Sequence, residues 1–234
     1  MRHLIVAAGD QAGSPRRTAL LVSGGGRYLD PWHPFAETSA ALAGVISRVG
    51  LDVVIDDDPD TAFAGLAETD TPPDLLVVNI GNPRPSVPGA GAAEGIEAHL
   101  AAGRPVLAVH SSSTAFTEWA RWREILGGRW IRGETFHPPQ GQGTVRLAER
   151  HPITEGAGVS SVTVVDEFYT ALAVDDVDAI GWHGHEGVEH PIAWSHTSGH
   201  ARVVYDALGH DGAAFASRAR HALLRAELAW LLTP

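Results

Sequence analysis

Histidine and serine side chains follow an apolar run near the middle of the chain. Residues 105–128 read PVLAVHSSSTAFTEWARWREILGG, and the run Val106–Val109 is typical of a strand buried on both faces. It is followed by His110 and three serines, of which Ser111 is the first, and these side chains can supply a base, a metal ligand or a nucleophile. A strand that leads through reactive side chains into a helix is the geometry with which α/β proteins build active sites.

Of the two residue types in this turn, the histidine is the better candidate for a functional side chain. The nucleophile elbow of hydrolases reads G-x-S-x-G, because its strained turn needs small flanking residues. Around Ser111, Val109 and Ser113 stand where that pattern has glycine. His110 therefore becomes the candidate base or metal ligand, although a histidine that caps a helix or binds a buried carbonyl has the same sequence signature.

An acidic pair follows a second apolar run. Asp166 and Glu167 come directly after Val165 and can act as a general acid, a general base or a ligand for a hard metal ion. The alternative is a helix N-cap at Asp166 with Glu167 in the first turn.

A third candidate is the histidine-rich segment 182–190. His183 and His185 would lie on one side of a strand, at a spacing that zinc accepts. Gly184 and Gly187 instead favour a hairpin loop, where solvated histidines are common.

Composition narrows the classes of function. The chain has 234 residues, 44% hydrophobic and 19% charged, which predicts a single globular domain over residues 1–234. The net charge of −11 disfavours a nucleic-acid partner, and the absence of cysteine excludes disulfides, thiolate metal sites and a cysteine nucleophile. No segment approaches the roughly 20 apolar residues of a membrane span, so we expect a cytoplasmic protein without membrane contact. Thirteen histidines and seven tryptophans indicate a polar cavity lined by rings.

Strands and helices alternate in the first half of the chain, which predicts right-handed crossovers and a parallel sheet. The predicted strands are residues 1–8, 18–22, 52–55, 74–80 and 106–109, and the predicted helices are residues 35–49 and 92–102. Three glycines at 24–26 follow a strand but do not spell G-x-G-x-x-G, so no nucleotide cofactor is expected.

The pattern changes after residue 128. Strand-like segments follow one another without obvious helices between them, which predicts an antiparallel or mixed extension of the sheet. These segments are residues 144–147, 162–165, 192–194 and 203–208, and a helix over residues 213–232 closes the chain.

The order of short motifs from residue 20 to residue 230 resembles the ThuA-like (trehalose-utilisation) family of the class I glutamine amidotransferase-like group. No single motif is specific, but the whole series in the family's order is hard to obtain by chance. The motifs are VSGG at 22–25, HPF at 33–35, VHS at 109–111, Trp122, GG at 127–128, HP at 137–138, HPIT at 151–154, DEFY at 166–169, PIAW at 191–194, GHARVVY at 199–205 and LGH at 208–210.

The resemblance implies a flavodoxin-like α/β three-layer sandwich with a mostly parallel central sheet and a β-rich C-terminal extension. It implies that His110 occupies the turn where amidotransferases carry their nucleophilic cysteine, so glutaminase activity is not expected. It further implies one pocket in which His110 and Glu167 are catalytic and a divalent Zn, Mn or Ni ion is bound by His33, His110, Glu167 and His210. The expected substrate-binding residues are His33, Ser111, Trp122, His137, Tyr169, Trp194 and His210.

Three functional hypotheses remain open. The first is an enzyme that processes trehalose, a keto-sugar or another small sugar derivative by His/Glu acid–base chemistry, assisted by a metal ion. The second is a non-catalytic protein that binds a sugar or regulates a partner. The third is a serine hydrolase that uses Ser111. A homo-oligomer would follow if the tryptophan-rich helix exposed apolar surface.

Overall fold

One ten-stranded mixed sheet with six α-helices organises residues 2–6 and 16–233, the part of the chain that the computed structural model describes. The strands are β1 (Arg2–Val6), β2 (Thr18–Ser23), β3 (Asp52–Asp56), β4 (Leu75–Asn79), β5 (Val106–Val109), β6 (Gly128–Arg129), β7 (Gly141–Leu147), β8 (Ser161–Asp166), β9 (Ala173–Val174), β10 (Asp178–His185), β11 (Val188–Ser198) and β12 (Ala201–Asp206). The helices are α1 (Phe35–Arg48), α2 (Pro59–Glu68), α3 (Ala92–Ala101), α4 (Ala120–Leu126), α5 (Pro152–Ala157) and α6 (Arg218–Leu232). Residues 1, 7 and 8 of the predicted first strand lie outside the described residues.

The sheet is parallel in its centre and antiparallel towards both edges. Its strand order is β1-β3-β2-β4-β5-β12-β11-β10-β7-β8, and the pairs among β3, β2, β4, β5 and β12 are parallel. β1 pairs antiparallel with β3, and β11, β10, β7 and β8 extend the other side antiparallel. The predicted mostly parallel centre and the predicted antiparallel extension are therefore both present. β6 and β9 form a separate two-stranded sheet.

Side-chain patterns explain this division. Every residue of β4 and β5 is buried, as expected for central parallel strands covered on both faces, so these strands read as continuous apolar runs. β8 alternates exposed and buried residues, because one face of an antiparallel edge is solvated.

Two short helices were not predicted. α2 starts at Pro59, and the carboxylate of Asp58 caps it by accepting a hydrogen bond from Thr61 N. α5 lies between β7 and β8, so the prediction that no helix separates the strands after residue 128 is wrong there. Its six residues are too few to show a helical period, and the His151 ring caps it at Ile153 N. The closing helix begins at Arg218, because residues 212–215 form a separate 3₁₀ turn.

Within the described residues, no helix combines the length and the apolar character that crossing a membrane would require.

Candidate functional site

Four ionisable side chains meet where four different strands end. His33 lies between β2 and α1, His110 follows β5, Glu167 follows β8 and His210 follows β12. One ligand atom from each of these residues lies within 4.8 Å of the corresponding atom of every other. The site is at the carboxyl ends of the parallel strands, where α/β sheets bind their ligands.

His110 occupies a strained turn. It is the first residue after β5 and has φ of +42°, in the left-handed region that non-glycine residues rarely adopt. The hydroxyl of Tyr205 donates to the carbonyl oxygen of His110 at 2.8 Å and fixes this backbone. A strained residue directly after a strand is the backbone geometry of a nucleophile elbow, here with an imidazole in place of a nucleophile.

Hydrogen bonds from the serines after His110 connect this turn to the end of β4. Ser111 Oγ donates to Ile80 O at 2.9 Å and Ser112 Oγ donates to Val78 O at 2.8 Å. Both serines are fully buried, and their hydroxyls are used by the backbone at the end of β4. The structure therefore gives Ser111 a structural contact.

The tautomer of His110 is fixed by its surroundings. Nδ1 donates to Ala207 O at 2.6 Å, so Nε2 carries the lone pair, and the hydroxyl of Tyr169 lies 3.0 Å from it. Burial, and secondly the nearby His33 imidazole, lower the pKa of His110 well below its ordinary value. His110 is therefore neutral at neutral pH, with Nε2 facing the cluster as a base or ligand.

Asp30 orients His33. Its Oδ1 accepts hydrogen bonds from the backbone N–H groups of Trp32 and His33 and lies 2.8 Å from His33 Nδ1. Burial acts to raise the pKa of Asp30, but the hydrogen bonds and charge of His33 outweigh it, and the pKa falls below its usual value. His33 Nε2 is left buried and has no hydrogen-bond partner among the described residues.

Asp166 joins the two segments that carry Glu167 and His210. Its carboxylate accepts hydrogen bonds from the N–H groups of Gly209 at 2.8 Å, His210 at 3.1 Å and Glu167 at 2.8 Å. Burial raises the pKa of Asp166 to about 7, although these three donors act in the opposite direction. The interpretation of Asp166 as a helix N-cap is wrong, because it ends β8 and no helix follows it.

Glu167 is surrounded by imidazoles. Its Oε2 lies 3.1 Å from His210 Nδ1, 3.6 Å from His137 Nε2 and 3.8 Å from His110 Nε2. Burial acts to raise the pKa of Glu167, but His210 and the other histidines lower it below its ordinary value. In turn, Glu167 raises the pKa of His210. The 3.1 Å contact between Glu167 Oε2 and His210 Nδ1 is not aligned as a hydrogen bond. His210 Nδ1 therefore has no hydrogen-bond partner among the described residues.

A buried ionic network holds the segment before His210. Arg220 donates to the Asp206 carboxylate and, at 3.1 Å, to Leu208 O, while Asp206 Oδ1 accepts from Leu208 N at 2.9 Å. Glu227 is the third fully buried member, and burial together with the charge of Asp206 raises its pKa well above its ordinary value. The guanidinium of Arg220 therefore neutralises the carboxylate of Asp206, while Glu227 stays protonated and uncharged.

A pocket of about 700 Å³ borders this cluster through His33 and Glu167. Its walls include His33, His137, Glu167 and Tyr169, together with the indoles of Trp32 and Trp130. The side chain of Trp32 is 71% exposed, so its indole face is accessible at the pocket.

Four of the predicted substrate-binding residues, Ser111, Trp122, Trp194 and His210, do not line this pocket. Ser111 is fastened to β4, and the indoles of Trp122 and Trp194 are fully buried in the core, where they donate to Ser112 O and Leu126 O. The side chains of the histidine-rich segment 182–190 also make their contacts outside this pocket. His183 Nε2 lies 3.0 Å from Tyr169 O, and the ring of His185 packs edge-on against Phe136.

The donor set fits a divalent metal ion. Three imidazoles and one carboxylate suit zinc and also manganese or nickel. Buried nitrogens without partners on His33 and His210 are the atoms that a cation would satisfy. Asp30 and Ala207 O orient two of the rings from behind, as outer partners of metal-binding histidines do. Asp30 was not predicted from the sequence, where its only local signal is its position three residues before His33.

The fold and the site together define an α/β protein with a histidine–glutamate cluster at the carboxyl ends of its parallel strands. The ThuA family model, described as trehalose utilisation, matches residues 21–231, and the chain belongs to this family. No curated protein matches the sequence.

Solved structures share the fold. A ThuA-like protein from Parabacteroides merdae superposes with a TM-score of 0.76 at 17% identity, covering 94% of this chain and 91% of that chain. A ThuA-like protein from Bacteroides uniformis gives 0.74 at 16% identity, with 95% and 94% covered. A β-galactosidase from Rahnella sp. R3 gives 0.63 at 16% identity, with 93% of this chain and 32% of that chain covered.

Proposed function

We propose that the protein is an enzyme of sugar metabolism that acts on a small sugar derivative in the pocket beside His33, His110, Glu167 and His210. The observation that carries this proposal is the convergence of these four side chains within 4.8 Å, beside a pocket that His33 and Glu167 line. Family membership supports a sugar as the ligand, since the family is described by trehalose utilisation.

Exposed aromatic surface supports the same class of ligand. Trp32 and Trp130 line the pocket, and a flat indole face can pack against the C–H face of a sugar ring. His33, His137 and Tyr169 offer polar groups to the hydroxyls of the sugar. We also assign the parallel centre to the flavodoxin-like type, because the order β3-β2-β4-β5-β12 corresponds to the 2-1-3-4-5 order of that fold.

Protons would be handled by Glu167 and His110. Glu167 is ionised at neutral pH, because its pKa is lowered, and it can accept a proton from a carbon or hydroxyl beside it. His110 is held as a neutral base with Nε2 forward. His137 lies 3.6 Å from Glu167 and is partly exposed, so it can pass a proton to solvent.

A divalent ion is proposed as the cofactor, with zinc, manganese and nickel as the candidates. His33, Glu167 and His210 would hold it, and His110 would be a fourth ligand only in a state in which its Nε2 accepts no proton, because one lone pair cannot do both. When bound, such an ion would polarise a carbonyl or hydroxyl of the sugar as a Lewis acid.

The test combines metal removal with substitution. Full-length protein is assayed on trehalose and its keto derivatives as purified, after chelation, and after addition of zinc, manganese or nickel. We expect chelation to abolish turnover and one metal to restore it, and His110→Ala and Glu167→Gln to lower kcat by roughly 100-fold or more. His200→Ala changes an exposed histidine on the β11–β12 turn and should leave turnover unchanged.

Turnover that survives both chelation and His110→Ala would contradict the proposal. Calorimetric binding of trehalose without turnover, insensitive to chelation, would instead identify a sugar-binding protein.

A further inference from the structure

Two arginines line the pocket without an acidic partner. Arg84 and Arg132 both border the cavity that contains Glu167. Within residues 16–233, neither guanidinium makes a hydrogen bond or an ion pair. Arg27, which lines the same cavity, is in contrast held by both carboxylate oxygens of Asp60. Within the described residues, Arg84 and Arg132 are therefore not paired with an acidic side chain, although Asp30 and Glu167 line the same cavity.

The chain is acidic overall. Acidic residues number 28 against 17 cationic ones, and the sequence has no lysine, so every cationic side chain besides histidine is an arginine. Among the described residues, six arginines contact an acidic side chain, namely Arg16, Arg27, Arg121, Arg123, Arg146 and Arg220. Among the described arginines without such a contact, Arg84 and Arg132 are distinguished by lining the pocket.

The backbone beside Arg84 is fixed. The guanidinium of Arg27 donates to Pro85 O at 2.8 Å and to Val87 O at 3.0 Å. The backbone N–H of Thr117 donates to Ser86 Oγ at 2.8 Å from the other side. Arg84 therefore projects from a segment that is tied at the three following residues.

The turn that carries Arg132 is fixed in the same manner. Ile131 N donates to Thr135 Oγ1 at 2.9 Å, and this buried hydroxyl donates to Ala171 O at 3.0 Å. Both guanidinium groups thus extend from anchored backbone towards one cavity, which lowers the entropy cost of holding a shared ligand.

We infer that the sugar derivative carries an anionic group, a carboxylate or a phosphate, and that Arg84 and Arg132 bind it while the sugar reaches the histidine–glutamate cluster. Arginine is suited to this task, because its planar guanidinium donates paired hydrogen bonds to carboxylate and phosphate oxygens. Placed at the pocket of an acidic protein, the two charges would also draw an anion to a surface that otherwise repels it. This inference rests on the proposed function and narrows its substrate class.

The test compares matched sugars. Binding of D-glucose 6-phosphate, D-glucuronate and D-glucose to the full-length protein is measured by calorimetry at low and high salt. The double variant Arg84→Gln/Arg132→Gln is compared with Arg48→Gln/Arg150→Gln, which removes two exposed arginines that do not line the pocket. All four positions are exposed, so the variants should fold normally.

We expect at least one anionic sugar to bind about tenfold or more tightly than D-glucose, because hydrogen bonds between charged groups contribute this much. The preference should disappear in the Arg84/Arg132 variant, persist in the control variant and weaken with salt. A preference for D-glucose 6-phosphate identifies a phosphate, and one for D-glucuronate a carboxylate.

Equal binding of all three sugars, no binding of either anion up to ~10 mM, or a preference that survives the Arg84/Arg132 substitutions would overturn the inference. These outcomes are separable from failure of the proposed function. That proposal fails on turnover in His110→Ala and after chelation, whereas this one fails on charge preference in binding.

Discussion

Nδ1 of His110 donates a hydrogen bond to the carbonyl oxygen of Ala207 at 2.6 Å, across 97 positions of the chain. This contact decides which nitrogen of the ring faces the pocket. It also makes the chemistry at Nε2 depend on the backbone before His210, which Asp206 and Arg220 hold in place. The buried ionic network and the pocket are therefore parts of one arrangement.

Removing the charge behind His33 should weaken metal binding. Asp30→Asn keeps the shape of the side chain but loses the carboxylate that lies 2.8 Å from His33 Nδ1. We expect zinc affinity to fall by roughly 10- to 100-fold, the usual effect of losing an outer partner of a metal ligand. Competition with a chromophoric chelator measures this. Asp70→Asn, on an exposed loop, should bind zinc normally, and equal affinities in the two variants would refute the role of Asp30.

Trp32 should affect sugar binding without affecting stability. Trp32→Ala removes an indole that is 71% exposed, so the melting temperature should stay within the error of the wild type. If the ring packs on the ligand, affinity for the sugar that binds most tightly should drop by roughly tenfold, or ~1.4 kcal/mol. Calorimetry provides the measurement. Unchanged affinity would remove Trp32 from the binding surface.

Gly25 should tolerate no side chain. A Cβ added there would lie 1.9 Å from the carbonyl oxygen of Asp57, which is backbone and has little room to move. Gly25→Ala should lower the free energy of unfolding by roughly 1–3 kcal/mol. Gly44, inside α1, has open space around it, and Gly44→Ala should stabilise by about 0.5–1 kcal/mol. Urea unfolding of both variants checks the contrast, which would be lost if both changes had the same sign.

Glu227 should make stability depend on pH. Because its pKa is raised in the folded state, its proton stabilises the fold fully below the unfolded pKa of about 4.3. That stabilisation is lost as pH rises through the folded pKa. Glu227→Gln keeps a neutral side chain, so the variant should lose less stability than the wild type as pH rises above about 5. Melting curves across this range test it, with exposed Glu68→Gln as the control. Parallel profiles of wild type and Glu227→Gln would contradict a neutral Glu227.

The parallel centre of the sheet was predictable because its strands are buried on both faces. β4 and β5 are apolar at almost every position, and such runs can be recognised as strands without knowing which strands they pair with. β10 was harder to recognise. It contains Gly181, where a Cβ would lie 2.8 Å from Val145, so close strand packing rather than a turn explains the glycine.

The site was only partly predictable. His110 was found because it ends an apolar strand, whereas grouping it with His33, Glu167 and His210 depended on the family resemblance. The position of Arg84 and Arg132 at one pocket could not be predicted, because the segments that carry them are distant in sequence. Asp30 lies only three residues before His33, but an acidic residue at that spacing is too common to mark a site. Trp122 and Trp194 were predicted to bind substrate but are buried in the core. The sequence alone does not distinguish a buried indole from one that lines a pocket.

The four clustered side chains come from the segments after β2, β5, β8 and β12, which span both the parallel and the antiparallel parts of the sheet. They can meet only when the whole sheet has formed. Uptake of an ion at this site would thus report complete folding, and each bound ion would stabilise the native state by mass action. The melting temperature of the protein would then rise with the concentration of free metal, so the thermal stability of a cell's pool of this protein would follow its metal supply.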